Sequence, residues 1–288
     1  MNSSCSVRRT DSSLTKAKRP PDFGRLFFGP YGKGWFLRAL AMRQEYDRYT
    51  PEDHGTWNIL YDRQLEHLEG KAYSRYMQCV EELKPDMQNE EVADFRKVEP
   101  RLQGATGWSI EVVKGLIPVE DFFTLLAEQR FCSSTWLRKR SQLDYLEEPD
   151  MFHDTFGHLP LLLDETYASF MRDFGRLGAR FVHDSSAMTA LQRLYWFTIE
   201  FGLIQGSNVP EIYGAGVLSS FGEVDHVYSS EVEILDFDLD LVIRNHFVNS
   251  EIQMRYYMID SLEQLYDSLG ELEEQLQAGL DIEEDIVR

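Results

Sequence analysis

A chain of 288 residues, 43% of them hydrophobic, is long enough to bury a sizeable core and too apolar to belong to the disordered class. Its formal net charge of −20 sets it against nucleic acid and anionic membrane surfaces as partners. Cys5, Cys79 and Cys132 are widely spaced and form no CxxC pair, which argues against a disulfide framework. No apolar run approaches the ~20 residues of a membrane span, and the start of the chain lacks the apolar region of a secretory signal. A soluble, cytoplasmic protein is expected.

Residues 1–20 set Arg8, Arg9, Lys16, Lys18 and Arg19 against one acid, Asp11, among serines and threonines. Almost nothing there can pack, so a mobile basic tail is expected, followed by one folded domain over 21–288. A turn follows at 30–33 and a helix over 36–49. From 55 to 83 the spacing of Trp57, Leu60, Leu65, Leu68, Tyr73, Tyr76 and Val80 is helical, and Lys84-Pro85 ends it. Gly104 and Gly107 mark a loop. The β-branched run 110–117 reads as a short strand, and Pro118 starts a helix to Ala127.

Helices are expected over 150–156, 167–181 and 185–204. A glycine-rich loop is expected over 212–221, strand segments over 224–242, and a helix over 260–280. In the last helix Leu262, Leu265, Leu269, Leu272 and Leu276 form a stripe too short for a coiled coil and suited to packing on its own domain. The chain from Glu271 to Arg288, with seven acids and one base, reads as a solvated face. The fold class is mainly α with short β strands (α+β), without internal repeats.

The chemistry concentrates in Glu148-Pro149-Asp150-Met151-Phe152-His153-Asp154-Thr155-Phe156-Gly157-His158-Leu159-Pro160. On a regular helix five residues turn ~500°, which leaves the two imidazoles ~140° apart. They can share a metal if the helix stops at Gly157 and the chain bends, with Pro160 forbidding continuation. A third ligand is offered by Glu200, the one charge in the apolar stretch Leu194-Tyr195-Trp196-Phe197-Thr198-Ile199-Glu200-Phe201-Gly202-Leu203. A carboxylate buried there must be paired, protonated or metal-bound. Two imidazoles and one carboxylate suit the facial triad of iron(II) oxygenases, and they also suit catalytic zinc. Spacing alone leaves both metals, and a purely structural pairing, open.

These segments, with GLIPVEDFF and WLRK upstream and YGAGVLSSFGE downstream, resemble the pterin-dependent aromatic amino acid hydroxylases. Bacterial phenylalanine 4-monooxygenases are the nearest likeness. The motifs run in the same order over 106–223, with a weaker likeness in RYYMIDSLEQL. The resemblance implies that the domain is a catalytic domain of this type. It implies Fe(II) held by His153, His158 and Glu200, a tetrahydropterin as reductant and O₂ as co-substrate. The family's pterin positions fall on Val113, Gly115, Leu116, Ile117, Phe122 and Tyr195. Its substrate positions fall on Arg138, Trp196, Gly216, Ser219 and Ser220, with Arg138 clamping the amino-acid carboxylate through a guanidinium fork. Phe156 reads as core.

Val119 and Glu120 stand where animal members have Ser and Arg, and Asp154 stands where they have Glu. The length leaves no room for their N-terminal regulatory domain, so regulation of that type is not expected. Phenylalanine is the expected substrate, with tyrosine or tryptophan next and a His₂Glu zinc hydrolase as the rival class. A monomer acting on small molecules is expected.

Overall fold

Thr50 opens the first long helix. Its hydroxyl accepts from the Asp53 N–H at 3.3 Å, the Asp53 carboxylate accepts from the Thr50 N–H at 2.8 Å, and Pro51 presets the first turn. This helix, α1 (Pro51–Leu68), ends before Gly70, whose φ of +71° only glycine adopts cheaply, and α2 (Ser74–Leu83) starts afresh. The single helical run expected over 55–83 is therefore two helices. The computed structural model describes residues 28–29, 42–144, 148–247 and 252–282. The expected basic tail, the turn at 30–33 and the first part of the 36–49 helix lie outside them. The remainder, 42–49, carries a single 3-10 turn at Tyr46–Arg48 rather than a helix.

The helix α3 (Phe95–Thr106) replaces the loop expected at Gly104, which sits inside it; Asp94 caps its start and Gly107, at φ +81°, ends it. Strand β1 (Phe28–Gly29) pairs with β3 (Ile117–Pro118), and β2 (Ser109–Val112) with β4 (Arg130–Ser133), both in parallel. The expected 110–117 strand is thus split at Gly115. Helix α4 (Val119–Ala127) follows Pro118 as expected. It packs on α5 (Glu165–Phe181) at a close crossing. A Cβ on Gly175 would lie 2.5 Å from the Ala127 amide nitrogen, and one on Gly178 would lie 2.1 Å from the Phe123 ring.

Helix α6 (Ser185–Leu194) leads into the Glu200 segment. Two strands, β5 (Leu203–Ile204) and β6 (Glu211–Ile212), pair antiparallel. The expected 212–221 loop instead holds α7 (Ala215–Leu218), followed by α8 (Phe221–Val227). Of the strands expected over 224–242, β7 (Glu233–Asp236) forms, while α9 (Leu239–Arg244) is helical. Strand β8 (Arg255–Ile259) lies between β5 and β7, parallel to both, giving the order β6-β5-β8-β7.

The last helix, α10 (Leu262–Gln277), buries its five leucines against α5, as its stripe suggested; each contributes about 2 kcal/mol. One continuous core runs from Trp57 to Ile282. Among the described residues Cys79 and Cys132 are free thiols, and no helix is long and apolar enough to cross a membrane.

Candidate metal centre and cofactor cleft

Both segments that carry the expected ligands are π-helical turns: His153–His158 and, at the end of α6, Tyr195–Glu200. This corrects the expectation of a helix that stops at Gly157. The chain stays helical but winds wider, and with i→i+5 bonding five residues make little more than one full turn. The two imidazoles therefore return to the same side. Phe201 N–H donates to the Trp196 carbonyl at 3.0 Å, a bond of this wider kind.

Side-chain hydroxyls bond backbone carbonyls in and next to both turns. Thr155 donates to the Met151 carbonyl (2.6 Å), Thr198 to Leu194 (2.5 Å) and Tyr76 to Phe156 (2.7 Å). Gly157 has a different task from the C-cap expected. A Cβ there would meet the Ala215 carbonyl at 2.9 Å, so glycine lets α7 pass directly beneath the ligand turn. Gly214 does the same for Glu200, since its Cβ would meet the Glu200 carbonyl oxygen at 2.5 Å.

His153, His158 and Glu200 converge. The two Nε2 atoms lie 3.3 Å apart, and they lie 3.6 Å and 3.2 Å from the Glu200 carboxylate oxygens. All three residues are largely or wholly buried. The tautomer of His153 follows from its neighbours. Ser219 Oγ gives its one proton to the Ala215 carbonyl (2.8 Å), so it accepts from His153 Nδ1–H (2.9 Å). His153 Nε2 then carries a lone pair, directed at a second imidazole and a carboxylate. A cation held between the three side chains would satisfy that arrangement. A first-row ion with ligands at about 2.0–2.2 Å needs donors roughly 3–3.5 Å apart, which these residues provide.

The electrostatics agree. Burial pushes the His153 ring down to about 4, so it is neutral and available as a ligand. Burial alone would raise Glu200, but the His158 ring and a hydrogen bond from the Tyr195 hydroxyl outweigh it and hold the group below its usual range, as a carboxylate.

A cleft, about 590 Å³ with its open mouth included, opens on the two histidines. Every expected pterin position, Val113, Gly115, Leu116, Ile117, Phe122 and Tyr195, lines it. Phe122 stands edge-on to Tyr195, centroids 5.5 Å apart.

The expected substrate positions lie outside this lining, with Gly216 and Ser219 against the metal ligands. Arg138 is buried and turns Nε and Nη2 onto Asp150, both at 2.9 Å. Gly216 lies against Glu200, where a Cβ would meet its carboxylate at 3.3 Å. Ser219 orients His153, while Ser220 caps α8 by accepting from the Glu223 N–H at 3.4 Å. Trp196 is held between Phe201 and Phe247, each with ring centroids 4.6 Å away. Phe156 is core, stacked on Phe152 at 4.9 Å.

Sequence reasoning missed several residues. Asp150 is one: it joins Arg138 to the backbone N–H of His153 (3.2 Å), and its place three residues before the first histidine was the available signal. Phe131, Cys132 and Ser134 also line the cleft, and nothing in their local sequence marks them; Glu148, Pro149 and Asp154 line it too, and their place in the histidine motif was the available signal.

Residues 43–286 match the model of the biopterin-dependent aromatic amino acid hydroxylases. The chain is 43% identical over 230 residues to the phenylalanine-4-hydroxylase of Chromobacterium violaceum, covering 80% of this chain and 76% of that one. A crystal structure of that enzyme with iron(III) and oxidised 7,8-dihydrobiopterin superposes with a TM-score of 0.78 at 39% identity, over 87% of this chain and 91% of that one. Another, with iron and phenylalanine bound, gives 0.75 at 38%, over 85% and 92%. The chain belongs to the biopterin-dependent aromatic amino acid hydroxylase family.

Proposed function

We propose that the chain is a non-haem iron(II), tetrahydropterin-dependent monooxygenase that hydroxylates the ring of an aromatic amino acid, converting phenylalanine to tyrosine. The observation that carries this reading is the convergence of His153, His158 and Glu200 at the floor of a cleft walled by the expected pterin positions. The relatives named phenylalanine-4-hydroxylase, and the neighbours that hold iron with dihydrobiopterin or with phenylalanine, support it.

When bound, iron and pterin supply the activation of O₂, which no side chain can provide. The protein's own residues do the rest. His153, His158 and Glu200 would hold the ion, which a two-imidazole, one-carboxylate donor set suits. Ser219 fixes the plane and tautomer of His153. Phe122 offers the pterin a flat apolar face, and the 113–117 backbone offers it hydrogen bonds. Arg138, oriented by Asp150, keeps its Nη1–Nη2 edge for the amino-acid carboxylate. Trp196, fixed between two phenylalanines, forms the aromatic side of the substrate end.

Incubating Fe(II)-loaded protein with a tetrahydropterin and, separately, phenylalanine, tyrosine and tryptophan tests the reading, with products identified by mass and retention. Tyrosine formed from phenylalanine supports it. Zinc retained in place of iron, with hydrolysis and no O₂ uptake, would replace it by the rival class. Phe122→Ala should raise the tetrahydropterin KM about tenfold and the phenylalanine KM far less, because the ring's contact is with the pterin. The opposite ranking would remove Phe122 from that role.

We read the protein as a cytoplasmic monomer, with one catalytic domain over 21–288 behind a basic tail at 1–20. Its acidic charge, the two unpaired thiols among the described residues and the continuous core that those residues form support this. Light scattering behind size exclusion should return a mass near 33.6 kDa, and a multiple of that value would refute the monomer.

A further inference from the structure

Two segments outside the cleft lining lead to the substrate end. One runs from Arg138 to Leu143 and Asp144. The other is α8, which begins at Phe221 directly after Ser219 and Ser220. Helix α1 holds both. His67 stacks on the Phe221 ring, centroids 4.0 Å apart and planes 20° off parallel. One turn earlier, Arg63 places its guanidinium carbon 4.6 Å from the same ring. One turn along α8, Asp225 Oδ1 accepts from Lys71 Nζ at 3.3 Å and lies 3.0 Å from His67 Nε2. These contacts fasten α8 to α1 in a ladder of cations, rings and one carboxylate.

Arg63 extends that ladder to the other segment. Its Nη1 donates to Asp144 Oδ1 at 2.6 Å and its Nη2 to the Leu143 carbonyl at 2.9 Å. One side chain therefore touches both segments, and it does so without reaching the cleft. We propose that Arg63 is a positioning residue for the amino-acid substrate. It ties the segment that follows Arg138 to the helix that follows Ser219 and Ser220, and so sets the width of the substrate end. This rests on the proposed function and on the family likeness that makes Arg138, Ser219 and Ser220 substrate positions.

The contacts rank in strength. Asp144 is 83% exposed on its side chain, so its charge pair with Arg63 is screened by water and weak. The bond to the Leu143 carbonyl and the contact with Phe221 are fixed to the backbone and to a packed ring. The neutral carbonyl and the ring should therefore matter more than the opposite charge.

The test uses the full-length, Fe(II)-loaded protein with tetrahydropterin. Arg63→Ala and Arg63→Gln should raise the phenylalanine KM about five- to tenfold while kcat changes less than about twofold. The tetrahydropterin KM and the iron content should stay at wild-type values. Phe221→Leu, which keeps an apolar contact but loses the stacked ring, should move the phenylalanine KM in the same direction. It keeps the test open if the Arg63 variants fold poorly. Asp144→Asn should stay within about twofold of wild type. An unchanged phenylalanine KM in the Arg63 variants overturns the proposal. So does a parallel fall in pterin affinity, iron content and melting temperature, which would mark a general structural role. A wild-type protein that hydroxylates none of the aromatic amino acids would sink the functional reading itself, and this proposal with it.

Discussion

Glu200→Ala should give a folded protein that neither retains iron nor forms tyrosine above background. The carboxylate is one of three donors, and losing it leaves two imidazoles 3.3 Å apart with no anionic partner. Removing even an outer partner of a metal ligand costs roughly 10–100-fold in affinity or activity, so losing a ligand should cost more. Folding should survive, because the substitution deletes a desolvated charge from an apolar helix instead of stranding one. Glu200→Gln keeps the shape and should lose iron as well, which separates charge from packing. Metal analysis after desalting, paired with product detection, checks both variants. Wild-type iron content and turnover in either would remove Glu200 from the centre.

Asp150→Ala should have the largest effect on stability. Asp150 is fully buried and Arg138 is 8% exposed, so the pair has little water to fall back on. Forming such a pair contributes little net stability, but breaking it costs about 3–5 kcal/mol because one charge stays buried alone. Here the loss reaches further. Asp150 also accepts from the backbone N–H groups of Arg138 (2.9 Å) and His153 (3.2 Å), so the start of the ligand turn loses its anchor. At about 2–4 °C per kcal/mol for a chain of this size, the melting temperature should fall by on the order of 10 °C. The phenylalanine KM should rise with it, since Arg138 loses the partner that aims it. Asp150→Ala/Arg138→Met should recover part of the stability and none of the substrate affinity. A melting temperature unchanged by Asp150→Ala would mean that the pair is hydrated and the burial argument fails.

Helices with an apolar stripe and clear ends could be read directly. Pro118 announced α4, and the leucine spacing announced α10. Helix α3 could not be read, because Pro100 and Gly104 inside it are the residues that ordinarily argue against a helix. Its stability comes from burying Phe95, Val98 and Leu102, a tertiary effect invisible in local propensity. The short α7 was hidden for a related reason. Gly214 before it and Gly216 inside it look like loop residues, yet Gly214 is small because the Glu200 carbonyl passes against it.

The identities of the metal ligands were legible, because one acid in an apolar helix and two closely spaced histidines need an explanation. Their geometry was not. Gly157 read locally as a terminator, and only the contact with Ala215 shows why a glycine stands there. The pterin positions came from motif likeness, and the structure gathers them along one cleft. Arg138 came the same way, but its dependence on Asp150 required the fold.

The wide winding of the two ligand turns couples metal occupancy to backbone order. A regular α-helix is the better-bonded alternative for either stretch, and rewinding would swing a ligand away from its partners. An ion held by all three side chains pins one widened turn to the other and opposes that relaxation. Loading with ferrous iron should therefore act as a local folding event as well as an activation step, slowing amide exchange in both turns and raising the melting temperature by mass action.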